Sequence, residues 1–350
     1  MWASGHFGYL LDYLWWWIVP ASLVGHTWCF FRLWPKKRRR TRHLILGNVL
    51  LMLCGLSLVG LAGESYLRFG SVETDTFGLS LSSKRWVILY EQLNSCQYRD
   101  REWRHEKSQG VHRIAFIGDS FTYGWGIKNV DDRFTGLLDA RFTSRDGPTV
   151  EVMTIAAGGL DTRDHAKIVD RMIAEYDVDE IVLCVLPNDI EQLLPTTDDF
   201  DPIHPRKSTY INTDSSFLLD FLYHRVFVRR GSGGREYFDW LADGFADPGI
   251  WRQQQDRFAN IVRQCRKNQV ELRVVLLPFV RTAGDQYQPA AIHARLREFF
   301  ELNNVPVADM LPTLRGIDPS ELVVNRSDAH PNERAHALFA DAIWRQFYAR

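Results

Sequence analysis

The chain has 350 residues, enough for one large domain or two ordinary ones, each with a substantial buried core. Its 45% hydrophobic and 24% charged residues exclude disorder, collagen-like repeats and a coiled coil as descriptions of the whole. A net charge of −1 hides a split: residues 1–63 carry seven Lys/Arg against Asp12 alone, a net +6, and residues 64–350 carry 35 basic and 42 acidic side chains, a net −7.

In chain order, the first feature is Tyr13–Phe31, nineteen residues without Asp, Glu, Lys or Arg. Trp15, Trp16 and Trp17 lie near one end and Trp28, Phe30, Phe31 and Trp34 near the other, as in the two aromatic belts of a spanning helix. Pro20 and His26 keep an interfacial or re-entrant helix open as the alternative. Tryptophan at this density does not fit a cleaved signal peptide, and no small-residue cleavage site follows. Leu44–Gly63 is twenty residues with none charged, about 30 Å as a helix and so the thickness of a bilayer's hydrocarbon core. The sequence therefore predicts one or two membrane helices, over residues 13–34 and 44–63. Between them, residues 36–42 read Lys-Lys-Arg-Arg-Arg-Thr-Arg. Wedged between apolar runs, this basic loop is expected to face the cytoplasm. The second helix would then deliver everything after Glu64 to the far side of the membrane.

Residues 64–110 form a mixed polar and aromatic lead-in. From Arg113 short apolar runs alternate with longer amphipathic ones. Strands are predicted at Arg113–Ile117, Thr149–Ile155, Glu180–Leu186, Val270–Leu277 and Val305–Asp309. Helices are predicted at Asp132–Phe142, Thr162–Tyr176, Trp251–Lys267, Ala291–Leu302 and Glu333–Tyr348, the last capped by Asn332. Continuous apolar strands between helices predict a parallel sheet covered on both faces, over residues 111–350. Residues 190–248 interrupt the alternation with an acidic stretch (Thr197–Asp201), an amphipathic segment (Ser216–Arg229) and a Gly231–Gly234 turn. An insertion of that length reads as a lid over a site or as a surface elaboration.

The chemistry gathers at the carboxyl ends of the strands. The first strand runs into Gly118-Asp119-Ser120, and open α/β sheets bind ligands at such ends. A bare Gly-Asp-Ser arises by composition alone in roughly one chain in ten of this length, so its position says more than its spelling. A serine needs a base, and the base an orienting partner. Asp328 and His330, on a loop before the last helix, supply both types. Acyl transfer also needs donors for an oxyanion, and Ala157-Gly158-Gly159 and Pro187-Asn188-Asp189 follow the second and third strands.

Gly118-Asp119-Ser120, Gly159, Asn188-Asp189 and Asp328…His330 resemble the four blocks of the SGNH (GDSL-type) hydrolase superfamily, in the family's order. Asn94–Asp100 is also similar to the lead-in of bacterial membrane-anchored members. The resemblance implies a flavodoxin-like three-layer α/β/α sandwich and esterase, lipase or O-acyl chemistry without metal or cofactor. It makes Ser120 the nucleophile, His330 the base and Asp328 its orienter. The Ser120 and Gly159 N–H groups and the Asn188 side-chain amide become the oxyanion hole, with Gly118, Asp119 and Asp189 in support. Two departures stand out. Leu186 occupies the usual glycine of the third block, and Asp328 precedes His330 by two residues instead of three, which leaves a backbone carbonyl as an alternative orienter.

The activity expected is a membrane-anchored serine esterase acting through an acyl-enzyme on a small-molecule or glycan ester outside the cytoplasm, in a bacterium at the inner membrane. The alternatives are an O-acyltransferase acting on an envelope polysaccharide, and a non-catalytic binding or assembly module on the same fold. A dinucleotide site is excluded for want of Gly-x-Gly-x-x-Gly after a strand, and a nucleic-acid partner by the −7 of the outer part. Among other residues, His336 is expected to be structural, and His165 and His293 to lie on helix surfaces. Asp161 and Asp164 are expected in the first turn of a helix, and Cys184 in the core. Asp309 ends a strand at the same edge without an assigned role. The five cysteines at 29, 54, 96, 184 and 265 form no CxxC pair and no disulfide scaffold, although pairing of Cys96 with Cys265 stays open.

Overall fold

The computed structural model describes residues 2–33, 41–196, 215–226, 235–284 and 287–349. Lys36–Arg40, Thr197–Asp201 and Gly231–Gly234 lie outside the described residues. The helices are α1 (Trp2–Leu33), α2 (Thr41–Ser65), α3 (Leu81–Tyr90), α4 (Ser120–Tyr123), α5 (Phe134–Thr143), α6 (Thr162–Tyr176), α7 (Phe217–Val226), α8 (Arg235–Ala246), α9 (Pro248–Lys267), α10 (Ala290–Leu302) and α11 (Glu333–Ile343). The strands are β1 (Val111–Gly118), β2 (Thr149–Ala156), β3 (Glu180–Val185), β4 (Glu271–Leu276), β5 (Val307–Asp309), β6 (Val323–Asn325) and β7 (Asp328–Pro331). They divide into two compact units. One holds the described residues within Met1–Val72, Ser80–Ser82 and Tyr210–Phe227, the other those within Glu73–Leu79, Ser83–Thr209 and Val228–Arg350.

In the first unit α1 is one unbroken helix through Pro20. It runs beside α2, which continues through a π-turn (Tyr66–Gly70). Among the described residues the one helix long and apolar enough to cross a membrane is Thr41–Gly70. The pair is held at both ends. A β-carbon on Gly47 would stand 3.0 Å from the Phe31 ring, so the small residue permits the close approach of the two helices. At the other end the Tyr13 hydroxyl meets Ser65 Oγ at 2.6 Å. Glu64 is fully buried and caps α7, accepting from Ser216 Oγ (3.0 Å) and the Phe217 and Leu218 N–H groups (3.1 and 2.8 Å). Arg68 pairs with the same carboxylate at 2.7 Å, so this acid at the end of an apolar helix is fully compensated.

The second unit is a five-stranded parallel sheet in the order β2-β1-β3-β4-β5. Strand alternation divides its side chains between two cores. Ala115, Ile117, Leu183 and Val274 join α6, α8, α9 and α10 on one face, and Ile114, Phe116, Val182 and Val275 join α5 and α11 on the other. This is the three-layer α/β/α sandwich with the flavodoxin-like strand order. α8, inside the 190–248 insertion, buries Phe238, Leu241 and Phe245 in the first core. Strand order reverses direction at β1, whose neighbours are β2 and β3. The crevice at such a reversal, beyond the carboxyl ends, is where doubly wound sheets take ligands.

Two expectations are corrected. Asp328 and His330 lie in β7, paired antiparallel with β6 in a separate two-stranded ribbon, not on a loop. His165 and His293 are buried, 0% and 2% exposed, not on helix surfaces. His165 continues the stripe of Ile168, Val169, Met172 and Tyr176 at 3- and 4-residue intervals, so helical periodicity carries it inward. His293 follows Ile292 on the face of α10 that holds Leu296 and Phe300.

Candidate active site

Ser120 opens the single turn of α4, one residue past the end of β1. Asp119 caps the turn, its Oδ1 accepting from the Phe121 N–H at 3.0 Å. Gly118 must be glycine: a β-carbon there would lie 2.2 Å from Thr122 Oγ1. The turn ends at Gly124 with φ +73°, where a β-carbon would also strike the Arg133 side chain at 2.6 Å.

The serine is hydrogen-bonded in a chain. Its Oγ lies 2.9 Å from His330 Nε2, and His330 Nδ1 lies 2.6 Å from Asp328 Oδ1. The same oxygen accepts the His330 N–H at 3.1 Å. Because β7 is extended, residues two apart share a face. The short Asp-x-His spacing therefore places both side chains together, and the carboxylate, not a backbone carbonyl, holds the ring. Asp328 is fully buried and His330 is 6% exposed. Asp328 Oδ2 accepts from the Thr74 hydroxyl, a partner 254 residues away that no sequence signal marks.

Gly159 and Asn188 follow β2 and β3, the strands flanking β1. Gly159 has φ +76°, the region where glycine is unstrained. Asn188 lies in a 3₁₀ turn (Pro187–Leu193), and its Oδ1 is buried without a partner. Leu186 precedes this turn with φ −103° and ψ 156°, ordinary extended backbone, so glycine is not required where the family usually has it. Asp189 folds back to accept the Leu186 N–H at 3.1 Å. The three adjoining strand ends thus carry Ser120, Gly159 and Asn188, with the β6–β7 ribbon bringing His330 onto Ser120.

Around this centre lie residues whose work the sequence did not disclose. Arg99, 1% exposed, donates to the carbonyls of Gly124, Ile127 and Lys128 at 3.1, 2.6 and 3.1 Å, so the Asn94–Asp100 lead-in fastens the loop behind Ser120. Asp100 takes the Thr154 N–H of β2 at 2.7 Å. Asp309 pairs with His293 Nδ1 at 3.1 Å, and Tyr287 joins His293 Nε2 (3.2 Å) to the Phe279 N–H (3.1 Å), bracing the loop after β4. His336 is structural, its Nδ1 accepting the Phe134 N–H at 3.2 Å. Asp161 caps α6 through the N–H groups of Arg163 and Asp164. Cys184 is fully buried in the core, and Cys96 and Cys265 are unpaired. Among the described residues no group of three His, Cys, Asp or Glu could hold a metal ion.

Burial dominates the electrostatics. It pushes the Asp119 carboxyl up to about 6 and holds Asp189 well above the usual carboxylate range, with Asp119 nearby adding to the rise. It lowers His165 to about 4 and His336 to about 3, keeping both rings neutral. The Asp119 shift predicts a pH effect. With a folded value near 6 against 3.8 unfolded, the folded state holds a proton that the unfolded chain releases. This contribution is fully present below about pH 4 and is lost as pH rises through 6. Asp119→Asn, which keeps the acceptor for Phe121, should therefore be more stable than wild type by up to about 3 kcal/mol at pH 8 and equal to it near pH 4. Denaturant unfolding at the two pH values measures this, and a difference independent of pH would contradict it.

A model of the GDSL-like lipase/acylhydrolase family matches residues 116–338. No match is found among curated proteins. Solved structures similar to this chain include TesA, 12% identical over 68% of this chain and 99% of that one with a TM-score of 0.44. A lipolytic G-D-S-L family protein from Veillonella parvula is 14% identical over 69% and 99%, TM-score 0.40. The psychrotrophic esterase EstA from Pseudoalteromonas sp., inhibited by monoethylphosphonate, is 11% identical over 68% and 97%, TM-score 0.41. Because the family model spans more than half of the chain, from within β1 to within α11, the chain belongs to the GDSL-like lipase/acylhydrolase family, serine hydrolases that act on ester bonds.

Proposed function

We propose that this protein is a membrane-anchored esterase that works outside the cytoplasm, with Ser120 as nucleophile, His330 as general base and Asp328 as the orienter of His330. The observation that carries the reading is the continuous chain from Ser120 Oγ through the imidazole to the buried Asp328 carboxylate. His330 Nε2 takes the hydroxyl proton as Ser120 attacks the ester carbonyl, and Asp328 stabilises the imidazolium that forms. The tetrahedral oxyanion is held by the Ser120 and Gly159 N–H groups and the Asn188 side-chain amide. His330 then protonates the leaving alkoxide. Water, deprotonated by the same ring, cleaves the acyl-enzyme and restores the serine.

The anchor rests on the Thr41–Gly70 helix, and its direction on the basic run at residues 36–42 that leads into its first turn, which stays on the cytoplasmic side of a bilayer. The test is labelling of the full-length chain, solubilised in detergent, with a fluorophosphonate probe. Wild type is expected to label, and Ser120→Ala not at all. A folded wild type that stays unlabelled would refute Ser120 as an activated nucleophile. On intact cells a membrane-impermeant version of the probe is expected to label as well, and labelling only after lysis would reverse the orientation.

A further inference from the structure

The segment that leads from the membrane helix to the catalytic sheet does more than connect them. Two residues, Ser71 and Val72, follow the helix that ends at Gly70; Glu73–Leu79 then lies against the ribbon that carries His330. We propose that Thr74 is a positioning residue for the reaction, its hydroxyl holding Asp328 in the rotamer that orients His330, and that Glu73–Leu79 is a built part of the active site. The inference rests on the roles proposed above for Ser120, His330 and Asp328.

Asp328 is fully buried, and an ionised carboxylate accepts hydrogen bonds at both oxygens. Oδ1 is occupied twice by His330, through Nδ1 at 2.6 Å and the backbone N–H at 3.1 Å. Oδ2 accepts from the Thr74 hydroxyl, which must be the donor because a carboxylate has no proton to give. Thr74 is itself 3% exposed, so water does not readily replace it. A carboxylate torsion is broad and nearly two-fold. With Oδ2 unpartnered, the group would turn towards any other donor and carry Oδ1 away from the ring. The hydroxyl at the far oxygen opposes that rotation.

The surroundings hold Thr74 from three sides. Asn325 Nδ2 donates to its carbonyl at 2.9 Å. Thr76 forms a short bridge to the ribbon, its N–H donating to Ser327 O (3.1 Å) and its Oγ1 accepting the Ala329 N–H (3.0 Å). Behind the segment, Trp125 Nε1 donates to the Asp75 carbonyl at 3.0 Å, with the Trp125 ring 6.4 Å from the His330 ring. Asp75 closes its own turn, accepting from the Phe77 and Leu79 N–H groups at 3.0 and 3.2 Å and from Ser83 Oγ at 2.6 Å. Gly126, at φ +85°, leaves room for this arrangement, since a β-carbon there would meet Val324 at 2.6 Å and Thr74 Oγ1 at 3.0 Å. A linker that served only as a tether would not need a buried hydroxyl aimed at the acid of the catalytic chain.

The experiment compares wild type, Thr74→Val and Thr74→Ser as full-length protein in detergent, with p-nitrophenyl acetate as substrate. Thermal unfolding of each sample gives its folded fraction. Valine keeps the shape of threonine and removes the hydroxyl. Thr74→Val is expected to lower kcat by about ten- to a hundredfold per folded molecule with KM unchanged, the pattern of an interaction needed in the transition state. Thr74→Ser, which restores the hydroxyl, is expected to retain kcat within about threefold of wild type. Thr74→Ala makes the same comparison if valine disturbs folding. A Val variant with wild-type kcat per folded molecule would overturn the inference, as would a Ser variant as slow as Val. If wild type does not react with the fluorophosphonate, both this inference and the proposed nucleophile fall. A labelled wild type with unaffected variants removes Thr74 alone.

Discussion

Replacing His330 with alanine is expected to lower turnover of an ester substrate by about 10⁶-fold while the protein stays folded. Without the imidazole, Ser120 Oγ loses the acceptor 2.9 Å away and must attack as an undissociated alcohol. The leaving alkoxide also departs without a proton. Ser120→Ala should fall to a similar level, and the double variant no lower, because the two residues act as one unit. The residual rate, about 10³ above water, would come from binding and the oxyanion donors. His330 makes its side-chain bonds to Asp328 and Ser120 only within the site, so truncation should spare the β6–β7 pairing. Initial rates on p-nitrophenyl acetate, with circular dichroism on each variant, decide the matter. A loss of less than about 10² would show that another base serves Ser120.

The second large effect is expected at Asn188. Asn188→Ala should reduce kcat by about 10²–10³ with little change in KM, the usual loss on removing one oxyanion donor. Its stability should be unchanged or slightly higher. The reason is local: Asn188 Oδ1 is buried with no partner in the resting protein, so truncation breaks no hydrogen bond at that atom and relieves an unmet one. Steady-state kinetics and an unfolding curve test both halves. Wild-type kcat in the folded variant would remove Asn188 from the oxyanion hole.

Asp119 and Asn188 illustrate different ways in which a site departs from the rules of a core. Asp119 is a buried carboxyl raised towards 6, retained because its oxygen fixes the turn that presents Ser120. Asn188 is a half-buried carboxamide whose Oδ1 is buried without a partner. Each is a local loss of stability beside the candidate site.

Much of the fold was legible in the chain. β1 to β5 lie where mainly apolar runs of five to eight residues stand between amphipathic ones, since strands covered on both faces read as near-continuous apolar runs. α6 spans Thr162–Tyr176 as its periodicity and its Asp161 cap required, and α11 begins at Glu333 behind Asn332. Ser120 was legible at a strand end, and Asp328 and His330 as residue types before the last helix, because acyl chemistry restricts which side chains can take part. The β6–β7 ribbon was not. Three- and four-residue strands carry too little alternation to read, and a ribbon with one strand built on Asp-x-His looks like a loop.

The sequence by itself determined the period of β1 to β5 and of the helices between them, the apolar helix that precedes the domain, and which side chains could carry acyl chemistry. Those properties depend on neighbours a few residues away. Only the tertiary structure decided that Asp328 and not a carbonyl is hydrogen-bonded to the His330 ring, that His165 and His293 lie inside, that Arg99 fastens the loop behind Ser120, and that Thr74 reaches Asp328 across 254 residues. Hydrogen-bond partners of a buried group are chosen by strand order and by loops that meet in space, and nothing in local periodicity records which distant donor will arrive.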